Sequence, residues 1–180
     1  MKEVLIIAGF GGQGVLSMGK ILAYAGVAQG YEVSWMPSYG PEMRGGTANV
    51  TVTLSDRTIS SPVATHYNTA IVLNQQSLDK FESKVLPGGI LIYDVNGITR
   101  KPVRTDIRIY SIDALMESVE MGNSKLFNML ILGGYLHLNP IVAMESLRCG
   151  LLKHLSERAR NTIDTNMAAV VRGGEIVQAQ

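Results

Sequence analysis

Two glycine-rich segments hold the residues best suited to chemistry. The first is Gly9-Phe10-Gly11-Gly12-Gln13-Gly14, in which Gly9, Gly11 and Gly14 match G-x-G-x-x-G. Glycines at that spacing permit a tight turn, let a ligand approach the backbone, and aim the N–H groups of a following helix at an anion. Gln13 adds an amide that donates and accepts hydrogen bonds but cannot act as acid or base. The dinucleotide version of this loop also needs an acid about 20 residues on, at the end of the second strand, to hold the ribose. Here that strand end is Met36-Pro37-Ser38, and Glu32 lies at the wrong end of the strand. Dinucleotide binding and a tight turn that serves packing or an interface are therefore both open.

The second segment is Ser38-Tyr39-Gly40-Pro41-Glu42-Met43-Arg44-Gly45-Gly46, a loop by its Gly and Pro content. Arg44 offers a planar fork to a carboxylate or phosphate, and Tyr39 and Glu42 have directional hydrogen-bonding groups of their own. Pairing of Glu42 with Arg44 to brace the loop or an interface is the competing reading. Other chemistry finds little support. His66, His137 and His154 show no zinc-ligand spacing, and no G-x-S-x-G nucleophile turn occurs. Asp94-Val95-Asn96-Gly97 closes an expected strand, where ligands collect in α/β folds, although Asn-Gly is first of all a turn signal.

The elements that must position these loops follow from the apolar pattern. Val4 to Ala8 is a continuous apolar run, as in a strand buried on both faces, and Val15, Met18, Ile21, Leu22 and Ala25 continue beyond the glycines at helical spacing. Further strands are expected at 33–36, 47–54, 70–73, 90–93 and 107–112, with a turn at Pro87-Gly88-Gly89 and a helix from Gln75 to Val85. Alternation of polar and apolar residues from Thr47 to Leu54 predicts some antiparallel pairing. The expected fold is α/β, a layered domain over residues 1–180 with a mostly parallel, mixed sheet flanked by helices and a helical C-terminal third. In that third, a buried helix is expected over 124–138, Asn139-Pro140 reads as a helix start, Gly173-Gly174 as a helix stop, and Cys149 as a buried thiol.

Composition bounds the function. The chain has 180 residues, 46% of them apolar and only 17% charged, with a formal charge of +1. Nucleic-acid binding, which shows as a basic stripe, is not expected. The one cysteine, Cys149, excludes an internal disulfide and a self-contained cluster or zinc knuckle, which need about four ligands. No apolar run approaches the ~20 residues of a membrane span, and the start does not read as an export signal. A cytoplasmic location is expected.

The motif G-F-G-G-Q-G, followed some thirty residues later by S-Y-G-P-E-M-R-G-G, resembles the gamma subunit of 2-oxoacid:ferredoxin oxidoreductases. A third match lies at Gly122-Asn123 with Asn128-Met129 and Leu132-Gly133, which adds Asn123 and Asn128 to the candidate residues. The resemblance implies a subunit of a multi-chain enzyme that decarboxylates a 2-oxoacid, such as 2-oxoglutarate or a branched-chain 2-oxoacid, and passes electrons to ferredoxin. Thiamine diphosphate, Mg and iron–sulfur clusters are then expected in alpha, beta and possibly delta partner subunits, with coenzyme A as co-substrate. This chain has neither a diphosphate–magnesium loop nor the cysteines for a cluster, so it carries no cofactor and no catalytic residue on this reading. The expected contribution is assembly, or one wall of the coenzyme A and substrate channel, with the glycine loop and Arg44 as contacts for an anionic group.

Overall fold

A computed structural model describes residues 1–39 and 47–180. Strand β1 (Lys2–Phe10) leads through the glycines into helix α1 (Val15–Ala28), followed by β2 (Glu32–Tyr39), β3 (Thr47–Ser55) and β4 (Tyr67–Val72). Helix α2 (Gln75–Phe81), β5 (Val85–Asp94), β6 (Arg108–Ile112) and α3 (Ala114–Glu120) come next. The chain ends in α4 (Phe127–Leu138), α5 (Met144–His154), α6 (Ile163–Ile176) and the short β7 (Gln178–Ala179). Among the described residues seven strands form one sheet, ordered β2-β3-β1-β4-β5-β6-β7. Strands β1, β4, β5 and β6 run parallel, whereas β3 is antiparallel to both β1 and β2. The expected mixed sheet is thus present, with its antiparallel part where the alternation lay.

The continuous apolar run of β1 serves two cores. Leu5 and Ile7 pack with Val50, Ile71 and Ile92 beneath α1, α4, α5 and α6, while Ile6 and Ala8 pack with Ala70, Val72 and Leu91 beneath α2. A strand covered on both faces has no polar side to show, which is why its sequence does not alternate.

Three local readings are corrected by tertiary contacts. Pro87-Gly88-Gly89 lies within β5 rather than before it: Tyr67 pairs with Val85 and Thr69 with Ile90, so the intervening residues bulge out of the register. Asn139 ends α4, donating its N–H to the Tyr135 carbonyl at 2.9 Å, and α5 begins only at Met144. Helix α6 runs straight through Gly173-Gly174 to Ile176. The reason is a helix crossing. A Cβ on Gly173 would overlap the Leu130 carbonyl of α4, and one on Gly133 the Val170 carbonyl of α6. These glycines remove side chains so that two backbones can touch; they do not stop a helix. Cys149, expected to be buried, is partly exposed on α5.

Candidate functional site at the glycine loop

Strands β1 and β4 are parallel neighbours, and their following helices leave to opposite faces of the sheet, α1 to one and α2 to the other. Divergent connections of this kind open a crevice beyond the carboxyl ends of the strands. A cleft of about 370 Å³ occupies that place, lined among others by Gly12, Gln13, Leu73, Asp94, Asn96 and Phe127.

The glycine loop is held shut against the sheet by Gln13. Its Oε1 accepts from the Phe10 N–H at 2.6 Å, and its Nε2 donates to the Leu73 carbonyl at the end of β4, at 3.4 Å. Gly9 lies beneath this amide: a Cβ there would stand 2.6 Å from Gln13 Oε1 and 3.0 Å from Leu73 Cβ. Gly12 and Gly14 have φ of 95° and 74°, the left-handed region in which other residues are strained. Gly14 is the N-cap of α1, with no side-chain cap and no acidic residue in the first turn. The helix therefore presents uncapped N–H groups and the positive end of its dipole beside the cleft. Gln13→Ala removes both bonds of the loop brace and is expected to cost about 1–2 kcal/mol. The midpoint of urea denaturation checks this.

The opposite wall is set by Asp94, the last residue of β5. It is 2% exposed and accepts from the N–H groups of Asn96 and Ala114, each at 3.1 Å. Burial pushes its carboxyl pKa up, while the backbone N–H groups of Leu115, Ala114 and Asn96 act in the other direction. Its oxygens are thus engaged in fixing the start of α3. Asn96 also donates to Asp113 Oδ1 at 2.7 Å. The polar groups of this wall are spent on each other, so the anion-suited side of the cleft is the α1 side.

Residues 4–176 match the pyruvate ferredoxin/flavodoxin oxidoreductase family. The chain belongs to that family. It is 36% identical over 169 residues to ketoisovalerate oxidoreductase subunit VorA of Methanothermobacter thermautotrophicus, covering 94% of this chain but 35% of that protein. The counterpart from Methanothermobacter marburgensis is covered to 28%, so this chain spans about a third of the length of these relatives. It is 30% identical to 2-oxoglutarate synthase subunit KorC of Methanocaldococcus jannaschii, with 99% of this chain and 95% of that one covered. Among solved structures, the gamma subunit of a keto/oxoacid ferredoxin oxidoreductase from Geobacter sulfurreducens superposes with a TM-score of 0.84. The two are 25% identical, with 98% and 96% of the chains covered.

Within this pyruvate ferredoxin/flavodoxin oxidoreductase domain, the candidate residues do not form one cluster. Gly9, Gly11, Gly12, Gln13 and Gly14 form the loop beside the cleft, which Gly12 and Gln13 line, and Asn128 of α4 rests on that loop: a Cβ on Gly14 would meet its Nδ2 at 2.5 Å. Asn123 caps the short 3₁₀ turn before α4, accepting from the Lys125 N–H at 3.1 Å, and does not line the cleft. Ser38 and Tyr39 end β2, on the sheet edge that carries the glycine loop but beyond β3: Ser38 pairs with Asn49, which pairs with Ala8. Gly40, Pro41, Glu42, Arg44, Gly45 and Gly46 lie outside the described residues. The interposed β3 also bears on the dinucleotide reading. In a dinucleotide fold the second strand adjoins the first, whereas here β2 is one strand removed, so its end is poorly placed to serve a ribose above the loop.

Leu115 and Phe127 line the cleft and were not among the candidate residues. An apolar side chain on an amphipathic helix carries no signal that separates a cleft wall from a core contact. Leu115, however, is 44% exposed, and so is unspent by the core.

Proposed function

We propose that this chain is the gamma-type subunit of a multi-subunit 2-oxoacid:ferredoxin oxidoreductase, formed by one domain over residues 1–180. In this reading it contributes to assembly and walls the channel for coenzyme A and substrate, and the isolated chain is inactive. The observation that carries the proposal is the nearly end-to-end match to a 2-oxoglutarate synthase subunit, in a chain with one cysteine. Redox centres would then sit in alpha, beta and possibly delta partners holding thiamine diphosphate, Mg and iron–sulfur clusters, with ferredoxin as acceptor in the cytoplasm. Among the described residues no helix is long and apolar enough to cross a membrane. The substrate is 2-oxoglutarate or a branched-chain 2-oxoacid, the classes named for the relatives above. Coenzyme A suits the cleft because the uncapped α1 N-terminus favours phosphate and the exposed Leu115 offers an apolar wall.

Anaerobic purification of the native chain should bring down larger subunits that carry thiamine diphosphate and clusters. The purified material should reduce a viologen dye with a 2-oxoacid and coenzyme A. A chain that emerges alone and turns over by itself overturns the proposal. Arg44→Ala should raise the KM for coenzyme A by about tenfold or release the chain from the complex, the loss of one charge-assisted contact. Unchanged kinetics together with unchanged co-purification would remove Arg44 from the site.

A further inference from the structure

A second pocket lies at the other end of the sheet, beyond the amino ends of the parallel strands, away from the glycine-loop cleft. It measures about 490 Å³ and is lined among others by Glu3, Thr69, Ile90, Arg108, Leu138 and Asn139. The sheet register explains the grouping. Leu5 pairs with Thr69, Thr69 with Ile90 and Ile90 with Arg108. Glu3, two residues before Leu5, therefore projects from the same face as Thr69, Ile90 and Arg108, under the C-terminal end of α4.

Glu3 is a half-buried carboxylate served by neutral donors. Thr69 Oγ1 donates to its Oε1 at 2.7 Å, and the fully buried Tyr135 hydroxyl reaches the same oxygen at 3.5 Å. Asn139 is a further neutral partner of the carboxylate. Burial pushes the Tyr135 hydroxyl well above the ordinary tyrosine range, and the Glu3 charge adds to this, so Tyr135 remains a donor. Burial also raises the Glu3 carboxyl, against Thr69, Asn139 and Tyr135, with Arg108 a further opposing influence. The C-terminus of α4 directs the negative end of its dipole into the same space. The pocket thus holds a carboxylate that, among the described residues, forms no ion pair.

Arg108 acts on it only at a distance. Its Nε donates to the Gly88 carbonyl at 3.3 Å, and among the described residues it forms no ion pair. A carboxylate and a guanidinium thus line one pocket without forming an ion pair. Leu86, Pro87, Ile90 and Leu138 provide apolar lining beside them.

We infer that this pocket binds an α-amino acid with an apolar side chain, its ammonium on Glu3 and its carboxylate on Arg108. A zwitterion satisfies both charges at once. A simple anion would be repelled by Glu3, and a simple amine would leave the Arg108 fork unused. The inference stands independently of the function proposed for the glycine-loop cleft.

The test is calorimetric titration of the full-length chain with L-leucine, 4-methylpentanoate, which lacks the ammonium, and 3-methylbutylamine, which lacks the carboxylate. L-leucine should bind, and each analogue should bind at least about tenfold more weakly, as expected for loss of a charge-assisted contact. Glu3→Gln and Arg108→Gln should each weaken L-leucine by a similar factor. No L-leucine binding at millimolar concentration overturns the inference, as does binding shared equally by the analogues or unchanged in both variants. The analogue series uses the unaltered chain and so decides the question even where a variant fails to fold.

Discussion

Gly133→Ala or Gly173→Ala should destabilise the protein by roughly 3 kcal/mol or more, the upper part of the range for overpacking. Each new methyl group would fall on a backbone carbonyl of the facing helix, Val170 for Gly133 and Leu130 for Gly173. A carbonyl in a helix cannot rotate aside as a side chain can, so relief requires the helices to part and their shared core, including Leu130, Leu132, Ala169 and Val170, to open. Gly134→Ala is the internal control. Its Cβ would meet the Ile112 Cδ1 at 3.1 Å and Val177 Cβ at 3.4 Å, distances a side-chain shift can absorb. Alanine is also favoured over glycine within a helix by about 1 kcal/mol, so G134A should stay within about 1 kcal/mol of the parent. Urea denaturation of the three variants separates the cases. Equal effects at positions 133 and 134 would contradict the close crossing.

The second large effect is expected at Gly14. Replacement by Ala places a side chain in the left-handed region, at about 1–2 kcal/mol, and drives its Cβ to 2.5 Å from Asn128 Nδ2 and 2.9 Å from Asn128 Cβ. Strain and overlap can be told apart with a second change. Asn128→Gly removes the overlapping atoms but leaves φ as it is, so the G14A/N128G pair should recover the steric part of the loss and retain the strain. Because the loop edge and α4 meet at this contact, G14A should also lower the activity of the assembled complex beyond what its stability loss explains. Full activity in a folded G14A complex would show that the loop geometry is not needed.

What the sequence made legible is what adjacent residues decide. The run Val4–Ala8, the glycines and the helical spacing after them are local, and they place the strand, turn and helix that form one edge of the cleft. The alternation from Thr47 to Leu54 likewise reports a strand of different character, which proves to be the antiparallel β3. The misread features are those decided by a distant partner. Gly173 has the local look of a helix stop, and only Leu130 on another helix shows why it is glycine. Asn139-Pro140 has the look of a helix start, yet Asn139 is already engaged in closing α4. Asn128 entered through the family resemblance alone, since nothing in its neighbours indicates that it will rest on Gly14.

Helix α4 has a mechanical consequence. At one end Asn128 rests on the glycine loop; at the other, Tyr135 and Asn139 border the pocket around Glu3. The twelve residues of α4 make a rod of about 18 Å. The rod has no proline, and its own weak point, the Gly133-Gly134 pair, is clamped by α6. A tilt imposed where Tyr135 sits therefore has no slack segment to dissipate in before it reaches Asn128. The domain is built less like a hinge than like a beam, with a load point at each end and the α6 crossing as a bearing in the middle.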